Sequence, residues 1–161
     1  MPAVMMVLGT DVAMIGPHDF PEDFVNMKHP QDYSMTPTPV IPQCIVHRAG
    51  IHARLIFRTS WKSGSTFVPM SFIVDTGAPF PFYFSAAGMA IMRAHTLLVD
   101  DDNGNSIVAV NQADGTKWKA QYMDTPSAFE PANIIGLKFA LRFPMAINGD
   151  SFAFEGVGPY F

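Results

Sequence analysis

The sequence predicts one all-β, barrel-like domain with one or two short helices, and three observations lead to that prediction. The 161 residues are 48% hydrophobic and 15% charged, a composition that supports a packed core. Apolar and polar residues alternate from Ile51 to Arg58, as they do in a half-buried strand. Glycine turn signals such as Asp114-Gly115 and Asn148-Gly149 separate short apolar runs, which is typical of hairpins.

Residues 1–49 differ in character from the rest and are predicted to be an N-terminal extension or leader before a domain at residues 50–161. They hold half of the chain's fourteen prolines, including Gly16-Pro17 and Thr36-Pro37, which favours extended, mostly non-regular chain. The apolar run from Met1 to Gly9 is short and has no basic flank, so we do not interpret it as a signal peptide.

The first half of the domain is predicted to be a hairpin followed by a helix. A strand at 51–58, a turn at 62–65 and a return strand at 67–74 lead to Asp75. An extended aromatic stretch follows at 79–84. Ser85 is then predicted to cap a helix that ends at Met92 or Ala94.

The second half is predicted to contain hairpins and a second short helix. One hairpin joins strands 96–99 and 106–110 around an acidic turn at 100–105, and the next turns at Asp114-Gly115 into a strand over 117–122. The helix from Leu137 should stop at Phe143 because Pro144 follows. A final hairpin is expected between 145–147 and 151–154.

Asp75-Thr76-Gly77 is the most informative motif of the chain. A carboxylate directly after the apolar run Met70–Val74 is costly unless something there uses it. The glycine that follows permits a tight, exposed loop. The motif therefore indicates a catalytic carboxylate loop; the alternative is an ordinary turn that caps a strand.

A second motif, Asn133-Ile134-Ile135-Gly136, follows later and leads into the predicted helix. With these two motifs in this order, the chain from Ile51 to Gly156 resembles the retropepsins, the single-domain aspartic proteases of retroviruses and LTR retrotransposons. The resemblance implies a closed β-barrel that forms a C2 homodimer, and an aspartic endopeptidase that cleaves extended peptide or polyprotein substrates at apolar sites.

Aspartic proteases use two carboxylates that share one proton, one to activate a water and one to polarise the scissile carbonyl. This chain has one Asp-Thr-Gly. Asp124 and Asp150 are followed by a hydroxyl residue but no glycine, and Asp114-Gly115-Thr116 has the wrong order. A shared site would therefore need Asp75 from two copies, related by a two-fold axis that passes between the carboxylates.

The resemblance also implies roles for individual residues. Asp75, Thr76 and Gly77 would form the catalytic loop, with Thr76 bracing it across the dimer interface. Substrate would contact Ala78, Pro79 and Ile135, together with Asp102, Asn103 and Gly104 at the tip of a flap. The alternative for the acidic turn is a solvated loop. Residues 151–161 would add a strand at the interface.

Two positions depart from the retropepsin pattern. Pro79 stands where an acidic or hydroxyl residue is common, and Leu137 stands where retroviral members often place an arginine. These losses are mutually consistent if the acid and the arginine normally pair, because neither is left as an unpaired buried charge.

Composition limits the other functions. A net charge of −4 with no basic block argues against nucleic acid or an anionic membrane as partner. The histidines show no metal-ligand spacing, so no metal and no cofactor are expected. The single cysteine, Cys44, favours an intracellular, cytoplasmic location. The retropepsin resemblance implies association with a virion or retroelement as the alternative. Two alternative functions stay open: a non-catalytic retropepsin-fold module for dimerisation or peptide binding, and an unrelated β-barrel binding domain in which Asp75 is structural.

Overall fold

A computed structural model describes residues 33–49 and 52–161. The helices are α1 (Ala86–Ala94) and α2 (Leu137–Arg142), with a 3₁₀ turn at Ser127–Phe129. The strands of the described residues are β1 (Gln43–Ala49), β2 (His52–Ser63), β3 (Thr66–Val74), β4 (Phe82–Phe84), β5 (Leu98–Asp100), β6 (Ser106–Asn111), β7 (Lys117–Ala120), β8 (Tyr122–Asp124), β9 (Asn133–Ile135), β10 (Met145–Asn148) and β11 (Ser151–Phe154). No helix within the described ranges is long and apolar enough to cross a membrane.

The predicted mostly-β architecture with two short helices is confirmed, but the predicted closed barrel is not. Strand pairing in the described part of the chain gives a six-stranded sheet in the order β1-β2-β3-β9-β4-β8, a three-stranded sheet β5-β6-β7 and the hairpin β10-β11. The ladder is interrupted at Gln121, between β7 and β8, and again at α2, between β9 and β10. These breaks separate the sheets, so the described strands do not close into one ring of hydrogen bonds.

Regular structure begins earlier than the sequence predicts. Residues 43–49, expected to be non-regular chain, form β1 and pair antiparallel along the length of β2. Cys44 and Val46 pack against the main core, whereas Ile45 packs on the other face of the sheet. The alternation of a strand therefore starts just after Pro42, the last proline of the region. Residues 1–32 of the predicted extension lie outside the described residues, and the boundary at residue 50 stays a prediction.

The two faces of the six-stranded sheet cover two cores of different size. Phe57, Phe72, Phe82 and Ile135 belong to a large, aromatic core. Their neighbours along the strands, Ile56, Ile73, Tyr83 and Ile134, pack with Ala132 on the opposite face in a smaller cluster. The period-2 alternation of strands explains this division, because successive side chains point to opposite faces. The two cores lie back to back across the centre of the sheet, where β3, β9 and β4 are adjacent.

The last residues described fold back onto their own chain. Phe161 is buried in the aromatic core, its N–H donates to the Ser60 carbonyl (2.7 Å), and its carbonyl accepts from the Lys62 amide (3.0 Å). Within residues 151–154, β11 pairs with β10. The interface strand expected from residues 151–161 therefore stays a prediction, and these contacts are made within one copy.

Candidate active site

Asp75 lies directly after β3, in a loop whose hydrogen bonds fix its carboxylate. The Asp75 amide donates to the Ile135 carbonyl (2.9 Å), and the Asp75 carbonyl accepts from the Ala78 amide (3.1 Å). One carboxylate oxygen, Oδ1, accepts from the Gly77 amide at 2.9 Å, which makes a local Asx turn. Asp75, Thr76 and Gly77 are all half-exposed. The loop thus holds a carboxylate in a defined orientation that solvent can reach.

The two sequence motifs are joined by parallel strand pairing. β9 lies between β3 and β4, parallel to β3 with Val74 opposite Ile135, and antiparallel to β4 with Phe82 opposite Ile135. Because the carboxyl ends of parallel strands meet at one edge of a sheet, Asp75 and Gly136 emerge together. The sequence shows only that one motif follows the other. The parallel pairing of β3 and β9 is what brings the two motifs into contact.

Gly136 is required by this contact. A Cβ at this position would lie 2.0 Å from the Phe80 carbonyl oxygen and 2.5 Å from the Ala78 carbonyl oxygen. The same approach lets the Gly136 amide donate to the Pro81 carbonyl (3.0 Å) and the Leu137 amide donate to the Ala78 carbonyl (2.7 Å). The first turn of α2 is therefore bonded directly to the loop that carries Asp75.

Ile135 has a different position from the one expected. It was predicted to contact substrate, but its side chain is 0% exposed and belongs to the large core. Its carbonyl accepts the Asp75 amide hydrogen, so Ile135 positions the Asp75 loop through its backbone. Ala78 is half-exposed and Pro79 is exposed beside this loop.

Tyr83 is a site residue that the sequence analysis did not identify. Its hydroxyl accepts a hydrogen bond from the Phe80 amide at 3.1 Å and so braces the chain after Pro79. Burial raises the pKa of the Tyr83 hydroxyl above its ordinary value; the Phe80 amide opposes that rise, and the charge of nearby Asp75 adds to it. Tyr83 therefore stays protonated next to the Asp75 loop. The signal in the sequence was its place in Phe82-Tyr83-Phe84, where it alone faces away from the aromatic core.

The acidic turn between β5 and β6 is ordered by one of its aspartates. Asp101 Oδ1 accepts from the amides of Asn103 and Asn105, both at 2.8 Å, and the Gly104 amide donates to the Asp101 carbonyl (3.0 Å). Asp102, Asn103 and Gly104, predicted to bind substrate, are exposed at the tip of this turn. Asp101 and Asn105, which were not predicted, line a cleft together with Phe80.

In the described part of the chain, no group of three or more His, Cys, Asp or Glu side chains is placed to hold a metal ion. What the arrangement offers chemically is an oriented, solvent-accessible carboxylate, a neutral tyrosine that supports its loop, and a hairpin turn across a cleft from Phe80.

Comparison with known proteins gives a distant structural similarity. No family model matches the chain, and no curated protein matches it. Among solved structures, the crystal structure of a retropepsin-like aspartic protease from Rickettsia conorii aligns with 79% of this chain and 98% of its own, at 15% sequence identity and a TM-score of 0.42.

Proposed function

We propose that this protein is an aspartic endopeptidase whose active site is completed by a second copy of the chain, with Asp75 from each copy forming the catalytic dyad. The observation that carries the proposal is the bond from the Asp75 amide to the Ile135 carbonyl (2.9 Å), which ties the Asp-Thr-Gly loop to the Ile-Ile-Gly segment. A merely strand-capping aspartate does not require a second motif beneath it.

The chemistry follows from bringing two such loops together. Two carboxylates held about 3 Å apart cannot both ionise, so the pair retains one proton into mildly acid pH. The ionised member takes a proton from a water, and that water attacks the scissile carbonyl. The protonated member polarises the carbonyl oxygen. Activity should accordingly be greatest at acid or mildly acid pH and fall as the shared proton is lost.

Extended peptides are the substrates that this site suits best. Strand-like backbone pairing holds such a peptide across two loops related by a two-fold axis, and the side chains on either side of the cut enter pockets. Apolar residues next to the scissile bond agree with the apolar environment created by Ala78, Pro79 and Phe80.

The test compares the wild type with Asp75→Asn in cleavage of a mixed peptide library between pH 4 and 7, with sizing chromatography of both. Asparagine keeps the Oδ1 acceptor for the Gly77 amide, so the variant should fold and assemble like the wild type. Asp124→Asn is the matched control, because Asp124 also ends a strand, precedes a threonine and is exposed. Cleavage lost in Asp75→Asn alone supports the proposal.

Two other results would contradict the proposed protease function. A well-folded dimer that cleaves nothing favours the alternative of a non-catalytic module for peptide binding or dimerisation, to which the exposed Pro79 and the acidic β5–β6 turn are suited. A strict monomer at all concentrations tested removes the shared site itself, because one chain supplies one Asp-Thr-Gly loop.

A further inference from the structure

A cleft of about 310 Å³ lies between the chain that follows the Asp75 loop and the turn of the β5–β6 hairpin. Phe80 forms one side, Asp101 and Asn105 form the turn side, and Ile107, Tyr122 and Met123 complete the lining from β6 and β8. Phe80 is five positions beyond Asp75 in the same loop; its amide donates to the Tyr83 hydroxyl (3.1 Å), and the Ala78 amide donates to the Asp75 carbonyl (3.1 Å). The cleft is therefore close to the proposed site of cleavage.

The cleft has an apolar end and a polar end. Phe80, Ile107 and Met123 supply apolar surface. At the other end, Ser106 and Tyr122 share a hydrogen bond of 2.8 Å between their hydroxyls, and Asp101 stands beside Asn105. Long basic side chains match such a cleft, because their methylene stems cover apolar surface while the charged head reaches a polar rim.

Asp101 has acceptor capacity left for such a head group. Its Oδ1 is occupied by the amides of Asn103 and Asn105, whereas Oδ2 receives a single long bond of 3.3 Å from the Asn105 side chain. A carboxylate has about four acceptor positions, so at least one of those on Oδ2 stays open. An ammonium or guanidinium group entering the cleft would find that oxygen already oriented.

Two lysines interact with residues that line the cleft. Lys119 on β7 is close enough to act on the Asp101 charge, and Lys138 lies with Nζ 5.5 Å from the centre of the Phe80 ring. Against them, the turn carries Asp100 and Asp102 in addition to Asp101. The local balance at the turn is thus negative, and the ring of Phe80 already accepts a cation on one face.

We infer that this cleft is a specificity pocket that selects a lysine or arginine side chain of the peptide substrate, with Asp101 as the charged partner and Phe80 and Met123 as the walls along its stem. The inference rests on the proposed endopeptidase function and adds a basic position to its substrates. Hydrogen bonds from the Asn105 and Asn103 amides, with help from Lys119, hold the pKa of Asp101 below its ordinary value. Asp101 therefore keeps its charge at the acid pH where a shared Asp75 dyad operates.

The experiment replaces each position of a cleaved peptide in turn by lysine or by norleucine, which has a similar stem without the charge. At one position lysine should exceed norleucine in kcat/KM, by about 2- to 5-fold for an exposed ion pair. Asp101→Asn should bring this ratio close to one while norleucine peptides are cleaved as before. Asparagine retains the Oδ1 acceptor, so the turn should keep its shape.

Asp114→Asn is the matched control. Asp114 also orders an exposed turn, because its carboxylate accepts from the Thr116 amide at 2.9 Å. Asp114→Asn removes one negative charge, as Asp101→Asn does, but at a position outside the cleft. The lysine preference should survive in this variant. A wild type without a lysine preference at any position, or a preference that survives Asp101→Asn, overturns the inference.

Binding separates this outcome from a failure of the proposed function. The same lysine and norleucine peptides, labelled with a fluorophore, are titrated by anisotropy against Asp75→Asn protein with and without Asp101→Asn. One outcome is that no peptide is cleaved, but lysine peptides bind more tightly than norleucine peptides and Asp101→Asn removes the difference. That result supports the specificity pocket and contradicts the protease proposal. If lysine and norleucine peptides bind equally, the pocket falls whatever the activity.

Discussion

Gly136→Ala tests the contact on which the candidate site depends. Gly136 has φ −101° and ψ −170°, a conformation open to any residue, so the backbone itself does not demand glycine. The new methyl group would instead meet two backbone carbonyl oxygens, those of Phe80 at 2.0 Å and Ala78 at 2.5 Å. Neither atom is the end of a flexible side chain, so the strand and the loop must separate.

The expected cost can be worked from that separation. Ordinary carbon–oxygen contacts lie above 3 Å, so the loop must move by roughly 1 Å, and overpacking of this kind typically costs about 1–3 kcal/mol. The same movement strains the bonds from Gly136 to Pro81 (3.0 Å) and from Leu137 to Ala78 (2.7 Å). Each such bond contributes about 1 kcal/mol. We therefore expect the free energy of unfolding to fall by about 3–5 kcal/mol.

Urea unfolding followed by tryptophan fluorescence and circular dichroism measures this change, with Gly64→Ala as the control. Gly64 has φ +61° in the β2–β3 turn, and a Cβ there meets nothing within 4 Å. The free energy of unfolding of that variant should fall only by the cost of holding an alanine in the left-handed conformation, about 1–2 kcal/mol. A 1 Å displacement of Asp75 should also reduce the proposed peptide cleavage by about 100-fold. If Gly136→Ala proves no less stable than Gly64→Ala, the close approach described here is incorrect.

Three further substitutions or reactions have expected outcomes. Thr59→Val should raise the free energy of unfolding by about 1 kcal/mol, because the Thr59 hydroxyl is fully buried and has no hydrogen-bond partner among the described residues; a lower thermal midpoint would contradict this. Tyr33→Phe should lower that free energy by about 1 kcal/mol, since it removes the hydroxyl that accepts from Asn133 Nδ2 at 3.0 Å, and unchanged urea unfolding would argue against the contact. Burial raises the pKa of the Cys44 thiol to about 11, so at pH 8 iodoacetamide should alkylate the native protein about 100-fold more slowly than the urea-unfolded chain; equal rates would refute the burial.

Local chemistry allowed much of the fold to be predicted. Ser85 caps α1 by accepting from the Gly88 amide (3.0 Å), α2 ends just before Pro144, and β10 and β11 turn at Asn148-Gly149, all as the sequence indicates. Each of these features is decided by residues within a few positions of one another. Turn and cap signals are therefore sufficient to find them.

Features that depend on residues far apart in the sequence were not predicted. β1 is a strand because β2 offers it an edge and two cores receive its alternating side chains, although the prolines before it suggested irregular chain. Asn133 is similar: its side chain accepts the Ser85 amide at 2.9 Å and leaves no room for a Cβ at Gly88. In the sequence, Asn133 is merely the first residue of a motif and Gly88 merely a weak helix former.

The departures from the retropepsin pattern also acquire a physical meaning once α2 is placed beside the Asp75 loop. The Leu137 amide donates to the Ala78 carbonyl, so positions 79 and 137 are neighbours, and a proline and a leucine there leave no charge that needs a partner. Leu137 is 39% exposed, and Leu141, one helical turn later, is 71% exposed. Apolar surface of this kind, next to the Asp75 loop, is costly to leave in water. In the proposed dimer, the two-fold axis passes beside the Asp75 loop, so the second copy would cover Leu137 and Leu141. Apolar contact between the copies would then replace the ion pair of the retropepsin pattern.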